Sequence, residues 1–305
     1  MTTELFKVHR PKTLNDLVGQ DEAVRKLKSM QKNGRFPHTI LLSGPSGCGK
    51  TSIARIFRKM LNCGKSDFHE INVADDRGVD VVRDIKRRIT LAPMDGDVRI
   101  WFLDEVHQLT GTAQEAALKE LEDTPEWVYF VLSTTDPQKL KKTVLNRCDK
   151  ITVKLLNAKD MMTLLLRVLK KEKKEVAEDV LDKLIEHAEG SPRQALVILN
   201  SIIDLEDEDE QKQTIEKSDI QHQAIEIARG LLNGMKWPAM AKLIKAVDED
   251  AESLRWMVLS YMESVMLSGG KQAGRAMDIH NCFAEPFYNT KRTGLTAACW
   301  EVIHG

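Results

Sequence analysis

The chain has 305 residues, of which 42% are hydrophobic and 30% charged, with a formal net charge of -1. This length exceeds one ordinary core and predicts two or three domains, while the lack of a long apolar run, of a secretory signal and of paired cysteines predicts a cytoplasmic, non-membrane protein with reduced thiols. A net charge this close to zero gives no general argument for nucleic-acid binding, so any such surface must be local.

Short β-rich apolar runs alternate with helical patterns in the first half of the chain. Strands that are apolar on both faces and separated by helices are typical of a parallel sheet in an α/β domain. We therefore predict an α/β domain over residues 1–156. The predicted strands are 39–43, 70–73, 98–103, 128–133 and 151–153.

The strand signal disappears from Asn157 onward, and apolar residues then recur at helical spacing. This change predicts a second, all-helical domain over residues 157–208. The acidic stretch 204–210 carries too much like charge to pack, so it is expected to be a solvated linker or a helix end. A third helical domain is predicted over 209–305, where Trp237, Trp256, Met257 and Trp300 are expected to be core residues, with subunit contacts as the alternative.

A phosphate-binding motif follows the first predicted strand, because residues 44–51 match GxxxxGK[ST] and a helix begins directly after them. Glycines let the loop wrap its backbone N–H groups around phosphates, Lys50 reaches the β- and γ-phosphates, and Thr51 ligates Mg²⁺. The pattern predicts ATP and Mg²⁺ as cofactors. The predicted nucleotide contacts in this loop are Gly44, Pro45, Ser46, Gly47, Cys48, Gly49, Lys50, Thr51 and Ser52.

Two carboxylates, Asp104 and Glu105, end the third predicted strand, at the sheet edge where ligands bind in open α/β folds. Asp104 is predicted to hold Mg²⁺ through water, and Glu105 to orient or deprotonate the attacking water. An ordinary strand end is the alternative, and the phosphate-binding loop disfavours it. The sequence thus predicts a hydrolytic nucleotide site.

Six ordered segments within about residues 10–199 resemble clamp-loader ATPases, namely the tau/gamma subunit of bacterial DNA polymerase III and the small subunits of replication factor C. The segments are 10–20, 44–51, 104–107, 133–140, 146–148 and 190–193. The resemblance implies a RecA-like AAA+ core followed by a helical lid and a helical collar for oligomerisation. These correspond to the three predicted domains.

The resemblance also implies roles for individual residues. Arg10, Pro11, Val18 and Gly19 are expected to border the adenine. Thr135 resembles the polar sensor of the γ-phosphate, and Arg193 the second sensor, aimed by a helix start that Ser191 caps and that has Pro192 in its first position. Arg147 resembles the arginine finger that reaches a neighbouring subunit's ATP. A plain strand-end threonine and solvent-facing arginines are the alternatives.

The chain departs from the family pattern in two places. Asn146 replaces the serine that precedes the arginine finger, and only Cys63 stands where bacterial tau/gamma chains carry a four-cysteine zinc module. Zinc is therefore not expected. Residues 74–83 instead resemble replication factor C, so the chain combines features of both branches, as a phage-encoded loader would.

A basic strip is predicted on the helix over about 79–91. Val81, Val82, Ile85 and Ile89 fall on one side, and Arg83, Lys86, Arg87 and Thr90 on the other. Such a row suits phosphate contacts that ignore sequence, although a solvated helix face is the alternative. Further candidate DNA contacts are Arg77, Thr110, Thr112 and Gln114. We also predict that Thr112 and Glu115 form a capping box at the start of their helix.

The sequence favours an ATP-hydrolysing subunit of a sliding-clamp loader. Its expected partners are primer–template DNA, a sliding clamp and other loader subunits, including further copies of this chain. One alternative is another AAA+ enzyme that remodels DNA, in branch migration or replication initiation, although no basic recognition helix is evident near the end of this sequence. The other is a non-hydrolysing scaffold subunit, against which Lys50, Thr51 and the two carboxylates argue.

Overall fold

The computed structural model describes residues 4–73, 79–247, 251–270 and 272–305. The chain divides into two compact units, Met1–Asp204 and Leu205–Gly305. Within the described ranges, none of the helices combines the length and the apolar composition that a membrane span requires.

The first unit is built on a sheet of five parallel strands in the order β2-β3-β4-β1-β5. Each of the five predicted strands is present, within two residues of its predicted limits, so the α/β fold with a parallel sheet is confirmed. The strands are β1 Thr39–Ser43, β2 Phe68–Asn72, β3 Arg99–Asp104, β4 Val128–Thr134 and β5 Asp149–Thr152.

Helices cover both faces of this sheet, because alternate strand residues point to opposite sides. In β1, Ile40 and Leu42 pack in the apolar cluster beneath α2 and α3, whereas Leu41 packs with α4 and α5. The two clusters hold the sheet between two helical layers. The helices of this part are α1 Leu5–Val8, α2 Asp21–Asn33, α3 Lys50–Met60, α4 Val79–Arg88, α5 Gly111–Glu122 and α6 Lys142–Leu145.

The start of α5 differs from the prediction. Its N-cap is Thr110, whose side chain accepts a hydrogen bond from the backbone N–H of Ala113 at 3.3 Å. The predicted capping box of Thr112 with Glu115 is therefore wrong. A threonine two residues earlier already satisfies the free N–H at the third helical position, and Thr112 lies inside the first turn.

Three further helices, α7 Ala158–Glu172, α8 Glu178–His187 and α9 Pro192–Ile202, complete the first unit. Ser191 caps α9 by accepting a hydrogen bond from the N–H of Gln194 at 3.4 Å, and Pro192 occupies the first helical position. Both features match the prediction. Arg193 consequently projects from the first turn of α9.

The second unit is all-helical. Its helices are α10 Glu208–Leu232, α11 Trp237–Ala246, α12 Ala251–Leu267, α13 Ala273–Cys282 and α14 Lys291–His304. They share one apolar core, which also contains a buried ion pair between Glu252 and Arg255.

The acidic stretch forms the helix end of α10, with Asp207 as N-cap and acidic residues in the first turn. Trp256 and Trp300 are 59% and 47% exposed, so the expectation that they are core residues is wrong.

Candidate nucleotide-binding site

The loop between β1 and α3 places Lys50 at the carboxyl edge of the sheet. Lys50 is buried, and its ammonium donates hydrogen bonds to the carbonyl oxygens of Gly44 and Pro45 at 2.7 and 2.9 Å. Burial lowers the pKa of Lys50, while the charges of Glu105 and Asp104 act to raise it. The ammonium is thus a desolvated hydrogen-bond donor, and phosphate oxygens can replace the two carbonyl oxygens as its acceptors.

A close approach between the loop and α9 explains one of its glycines. Gly47 has a φ of 76°, and a Cβ atom there would lie 2.4 Å from the Ser191 hydroxyl and 3.2 Å from Cβ of Arg193. Only glycine combines this backbone conformation with such a contact. The phosphate-binding loop and the start of α9 therefore face each other directly.

The two carboxylates lie beside the loop, as their position after β3 predicts. The hydroxyl of Thr51 donates to Asp104 Oδ2 at 3.4 Å, so the two predicted Mg²⁺ ligands are neighbours. Glu105 follows in a left-handed conformation with a φ of 54°. Hydroxyl and carboxylate oxygens are the ligands that Mg²⁺ prefers, and two such groups suit an ion that keeps waters and binds substrate phosphates. The residues present therefore fit Mg²⁺.

Glu105 is held by side chains from the end of β4 and from its own loop. Thr135 donates its hydroxyl to Glu105 Oε2 at 3.2 Å, and His107 Nδ1 lies 3.2 Å from the same oxygen. The amide nitrogen of Gln108 lies 3.2 Å from His107 Nε2, so a neutral ring that accepts there carries its proton on Nδ1, which faces both Glu105 and the Thr134 hydroxyl, the latter at 3.1 Å. Burial lowers the pKa of His107, which favours this neutral form.

The N-terminal segment and α9 also contribute residues to the lining of the cleft. The Arg193 guanidinium lies 6.0 Å from the centre of the Phe6 ring. Burial, and then the positive charge of Arg55, lower the pKa of Arg10, with Arg193 acting in the same direction. Arg10 and Arg193 therefore bring positive charge to the same cleft that Asp104 and Glu105 line.

Most predicted nucleotide contacts line this single cleft. The predicted residues in its lining are Arg10, Pro11, Val18, Ser46, Gly47, Cys48, Gly49, Lys50, Thr51, Ser52, Asp104, Glu105 and Arg193. Gly44 and Pro45 contribute the carbonyl groups that Lys50 contacts. Gly19 follows Val18 and packs towards Leu156, and Thr135 contacts the cleft through Glu105. Arg147 does not belong to the lining, and its guanidinium pairs with Glu122 instead.

Other lining residues were missed by sequence reasoning. They are Phe6, His9, Asp16, Leu17, Gln20, Leu156, Leu164, Pro192 and Leu196. The buried Gln20 side chain bonds both backbone groups of Lys154, at 2.7 and 3.1 Å, and so fixes the segment that borders the cleft. Gln20 ends a family-like segment and could have been found there. The apolar residues are indistinguishable in sequence from ordinary core positions.

The basic strip on α4 has the predicted arrangement. Val81, Val82, Ile85 and Ile89 are buried, whereas Arg83, Lys86, Arg87 and Thr90 are exposed. This confirms the amphipathic division of the helix, and contact with DNA stays a prediction. Arg77 lies outside the described residues.

The other candidate DNA contacts lie near the start of α5, where Thr110 and Thr112 are exposed and 3.1 Å apart between hydroxyl oxygens. Gln114 is buried. Its amide donates to the carbonyl of Leu109 and accepts from the N–H of Lys141. It is therefore a structural link, and its assignment as a DNA contact is wrong for this conformation.

Sequence comparisons agree with this geometry. Residues 40–155 match the AAA family, described as the ATPase family associated with various cellular activities. The chain is 33% identical over 220 residues to DNA polymerase III subunit tau of Bacillus subtilis, a match covering 65% of this chain and 39% of that subunit. It is 36% identical over 220 residues to the tau subunit of Escherichia coli, covering 65% and 34%. The chain thus spans well under two thirds of these relatives.

A comparison of folds gives a second family of neighbours. The RuvB Holliday junction branch migration motor of Thermotoga maritima superposes with a TM-score of 0.58 at 21% identity, covering 78% of this chain and 86% of that chain. At this identity the similarity shows the fold alone. From the sequence match and the shared fold together, the chain carries an ATPase domain of the AAA family and is related to the tau and gamma subunits of bacterial DNA polymerase III.

Proposed function

We propose that the chain is an ATP-hydrolysing subunit of a sliding-clamp loader. The observation that carries the proposal is a single cleft that gathers the phosphate-binding loop, Asp104, Glu105 and Arg193. The relationship to DNA polymerase III tau subunits supports the replication context. The three-domain division into AAA+ core, lid and collar belongs to the same proposal.

ATP binding follows from the charges of the cleft. The triphosphate lies along the loop after β1, and Lys50 exchanges its two carbonyl acceptors for β- and γ-phosphate oxygens. Arg193, at the start of α9, contacts the γ-phosphate, while Arg10, Pro11, Val18 and Gly19 border the adenine. Thr51 and Asp104 hold Mg²⁺, which neutralises phosphate charge when bound.

Hydrolysis uses Glu105 as the group that orients or deprotonates the attacking water. Thr135 donates to Oε2 of Glu105 and His107 Nδ1 lies 3.2 Å from the same oxygen, so the attacking water is assigned to the other oxygen. In this proposal Thr135, which follows β4, reports the γ-phosphate to the base. These contacts supply the positioning on which phosphoryl transfer depends.

Arg147 acts on a neighbouring subunit's ATP in this proposal. It does not line the cleft of its own chain. Its side chain is 32% exposed and can reach another chain. A chain with both a complete phosphate-binding loop and its own finger can donate and accept in a ring of like subunits. The helical unit Leu205–Gly305, with exposed Trp256 and Trp300, is the proposed collar that assembles them.

DNA contact is assigned to the exposed side of α4 and the start of α5. Arg83, Lys86 and Arg87 supply sequence-independent phosphate contacts, and the hydroxyls of Thr110 and Thr112 add neutral ones. This suits a machine that must act at any primer. The support is the one-sided placement of the basic residues.

Clamp contact is assigned to an apolar loop at the amino ends of β3 and β4, opposite the nucleotide edge of the sheet. Leu91 and Met94 are 55% and 85% exposed there, and the indole of Trp127 donates to the carbonyl of Leu91 at 3.3 Å. The buried ion pair of Asp67 with Arg99 holds this loop in place. A loop ordered in advance lowers the entropic cost of docking a protein partner.

The proposal is tested by ATPase measurements with and without primed DNA and a candidate clamp, together with native mass. Stimulation by both ligands in an assembled state is the expected result. Stimulation by DNA without any effect of the clamp would favour another DNA-remodelling ATPase, and absence of hydrolysis in a clamp-binding assembly would favour a scaffold subunit.

A mixing experiment tests the action in trans. Lys50→Ala is expected to be inactive because it lacks the site, and Arg147→Ala to keep only a small residual turnover because it lacks the finger. Mixed assemblies should regain turnover wherever an intact site meets an intact finger. Absence of turnover at every ratio, with co-assembly verified by native mass, would refute the trans mechanism.

A further inference from the structure

The guanidinium of Arg147 has two partners inside its own chain. Nη2 pairs with the carboxylate of Glu122, and Nη1 donates to the carbonyl oxygen of Thr143 at 2.8 Å. A guanidinium has five N–H donors, so contacts with the described residues use two of them and leave three over. The side chains of Arg147 and Glu122 are 32% and 47% exposed, which keeps those three donors within reach of another chain.

The segment leading to Arg147 is tied to α5 at both ends of that helix. Near the start of α5, Gln114 accepts the backbone N–H of Lys141 at 2.9 Å, and Glu115 pairs with the Lys141 ammonium. Glu122, the last residue of α5, contacts Arg147 itself. The direction of the guanidinium is therefore set by α5.

We propose that Glu122 is a positioning residue for Arg147. It fixes the guanidinium at the end of α5, so that the three remaining donors face the phosphate of an adjoining chain. This inference rests on the proposed role of Arg147 as a finger in trans. Arginine has a long and flexible side chain. If it is held in place before the reaction, no rotamer entropy is lost when the transition state forms, and the guanidinium is not misplaced relative to the phosphate.

The energetics separate this role from a role in folding. A half-exposed ion pair contributes little to stability, because solvent screens both charges. Substitutions of Glu122 should therefore leave the thermal midpoint of unfolding close to that of the wild type. A loss of turnover in such a variant reports on the finger.

The test measures kcat and KM for ATP in assembled protein with primed DNA. Glu122→Ala should lower kcat by about 10- to 100-fold with little change in KM, because misplaced catalytic groups lose rate and not substrate binding. Glu122→Gln, which keeps an oxygen acceptor, should retain most of the activity. Asp123→Asn is the matched control, since it removes the adjacent exposed negative charge, and it should behave as wild type.

A double variant decides whether Glu122 acts through Arg147. Glu122→Ala combined with Arg147→Ala should be no slower than Arg147→Ala alone. An additive loss, or an increase of kcat in Glu122→Ala, would overturn the inference, the latter by showing that the pair restrains the finger.

The inference and the proposed function can fail separately. Full activity in Arg147→Ala would refute the trans finger itself. If Arg147→Ala is inactive but both Glu122 variants equal the wild type, only the positioning role is refuted.

Discussion

Arg99→Met is a direct test of how the apolar loop before β3 is held in place. The guanidinium makes five hydrogen bonds, two to Asp67 Oδ1 and three to backbone carbonyls of residues 88, 91 and 92, with lengths of 2.8–3.2 Å. All five N–H donors of the side chain are thus used. Arg99 and Asp67 are 4% and 0% exposed, so methionine would keep the apolar stem and remove every donor.

The expected loss of unfolding free energy in Arg99→Met follows from the burial of the Asp67 carboxylate. Removing one partner of a buried ion pair costs about 3–5 kcal/mol, because the other charge remains without its counter-ion. For a unit the size of Met1–Asp204, each kcal/mol lowers the melting temperature by about 2–4 °C. The thermal midpoint of this unit should therefore fall by about 6–20 °C.

The pH dependence gives a second, independent readout. Burial raises the pKa of Asp67, but hydrogen bonds from the Asp95 N–H, from Arg99 and from the Met94 N–H outweigh it and bring the pKa below its ordinary value. A depressed pKa contributes stability above the unfolded pKa, which is lost as the pH falls through the folded one. The deficit of Arg99→Met should therefore be large at neutral pH and shrink in acid.

The measurement is thermal unfolding followed by circular dichroism from neutral to acidic pH. Arg88→Met is the matched control, since Arg88 forms an exposed ion pair with Asp84 and its loss should cost at most about 1 kcal/mol. Below the melting temperature, Arg99→Met should keep its basal ATPase activity and lose stimulation by the clamp. A midpoint shift no larger than that of the control would refute the assigned role of the ion pair.

The remaining predictions concern the cleft and the basic strip. Lys50→Ala should abolish ATP binding, measured by calorimetry, because the triphosphate loses its buried cation; wild-type binding would contradict the assignment. Glu105→Gln should bind ATP normally and lose hydrolysis, whereas a matching loss of binding would make Glu105 structural. Neutralising Arg83, Lys86 and Arg87 together should flatten the salt dependence of duplex binding by about 0.9 per lost contact, or about 2.7 in all, with basal ATPase unchanged. An unchanged slope would leave these residues as a solvated helix face.

The fold was largely predictable because its signals are local. Apolar runs flanked by helices marked all five strands, and Ser191 with Pro192 marked the start of α9. The start of α5 was misplaced because Thr110 and Thr112 are chemically equivalent caps. Which of the two caps α5 depends on the backbone direction set by the preceding turn, which ends at Leu109.

The site was predictable where function requires a particular residue type, and unpredictable where geometry alone decides. Lys50, Asp104 and Glu105 follow from a motif and a strand end. Gln114 was misassigned because a polar residue on a predicted helix start gives no sign that its amide is buried. Glu122 lies in a run of charged residues, and its contact with Arg147 spans 25 positions, so only the folded chain brings them together.

Under the proposed mechanism, the fold itself explains why turnover requires assembly. Lys50, Asp104 and Glu105 share one cleft, whereas Arg147 lies between α6 and β5, pairs with Glu122 and does not line that cleft. Folding of a single chain therefore completes the ATP-binding part of the site, but the arginine that would stabilise the transition-state charge must come from a neighbouring chain. Because α5 begins beside the proposed DNA contacts and ends at Glu122, a shift of this helix on DNA would also move the finger. Such a coupling would require movement of α5 alone, because the segment before Arg147 is attached to the same helix through the contacts of Lys141.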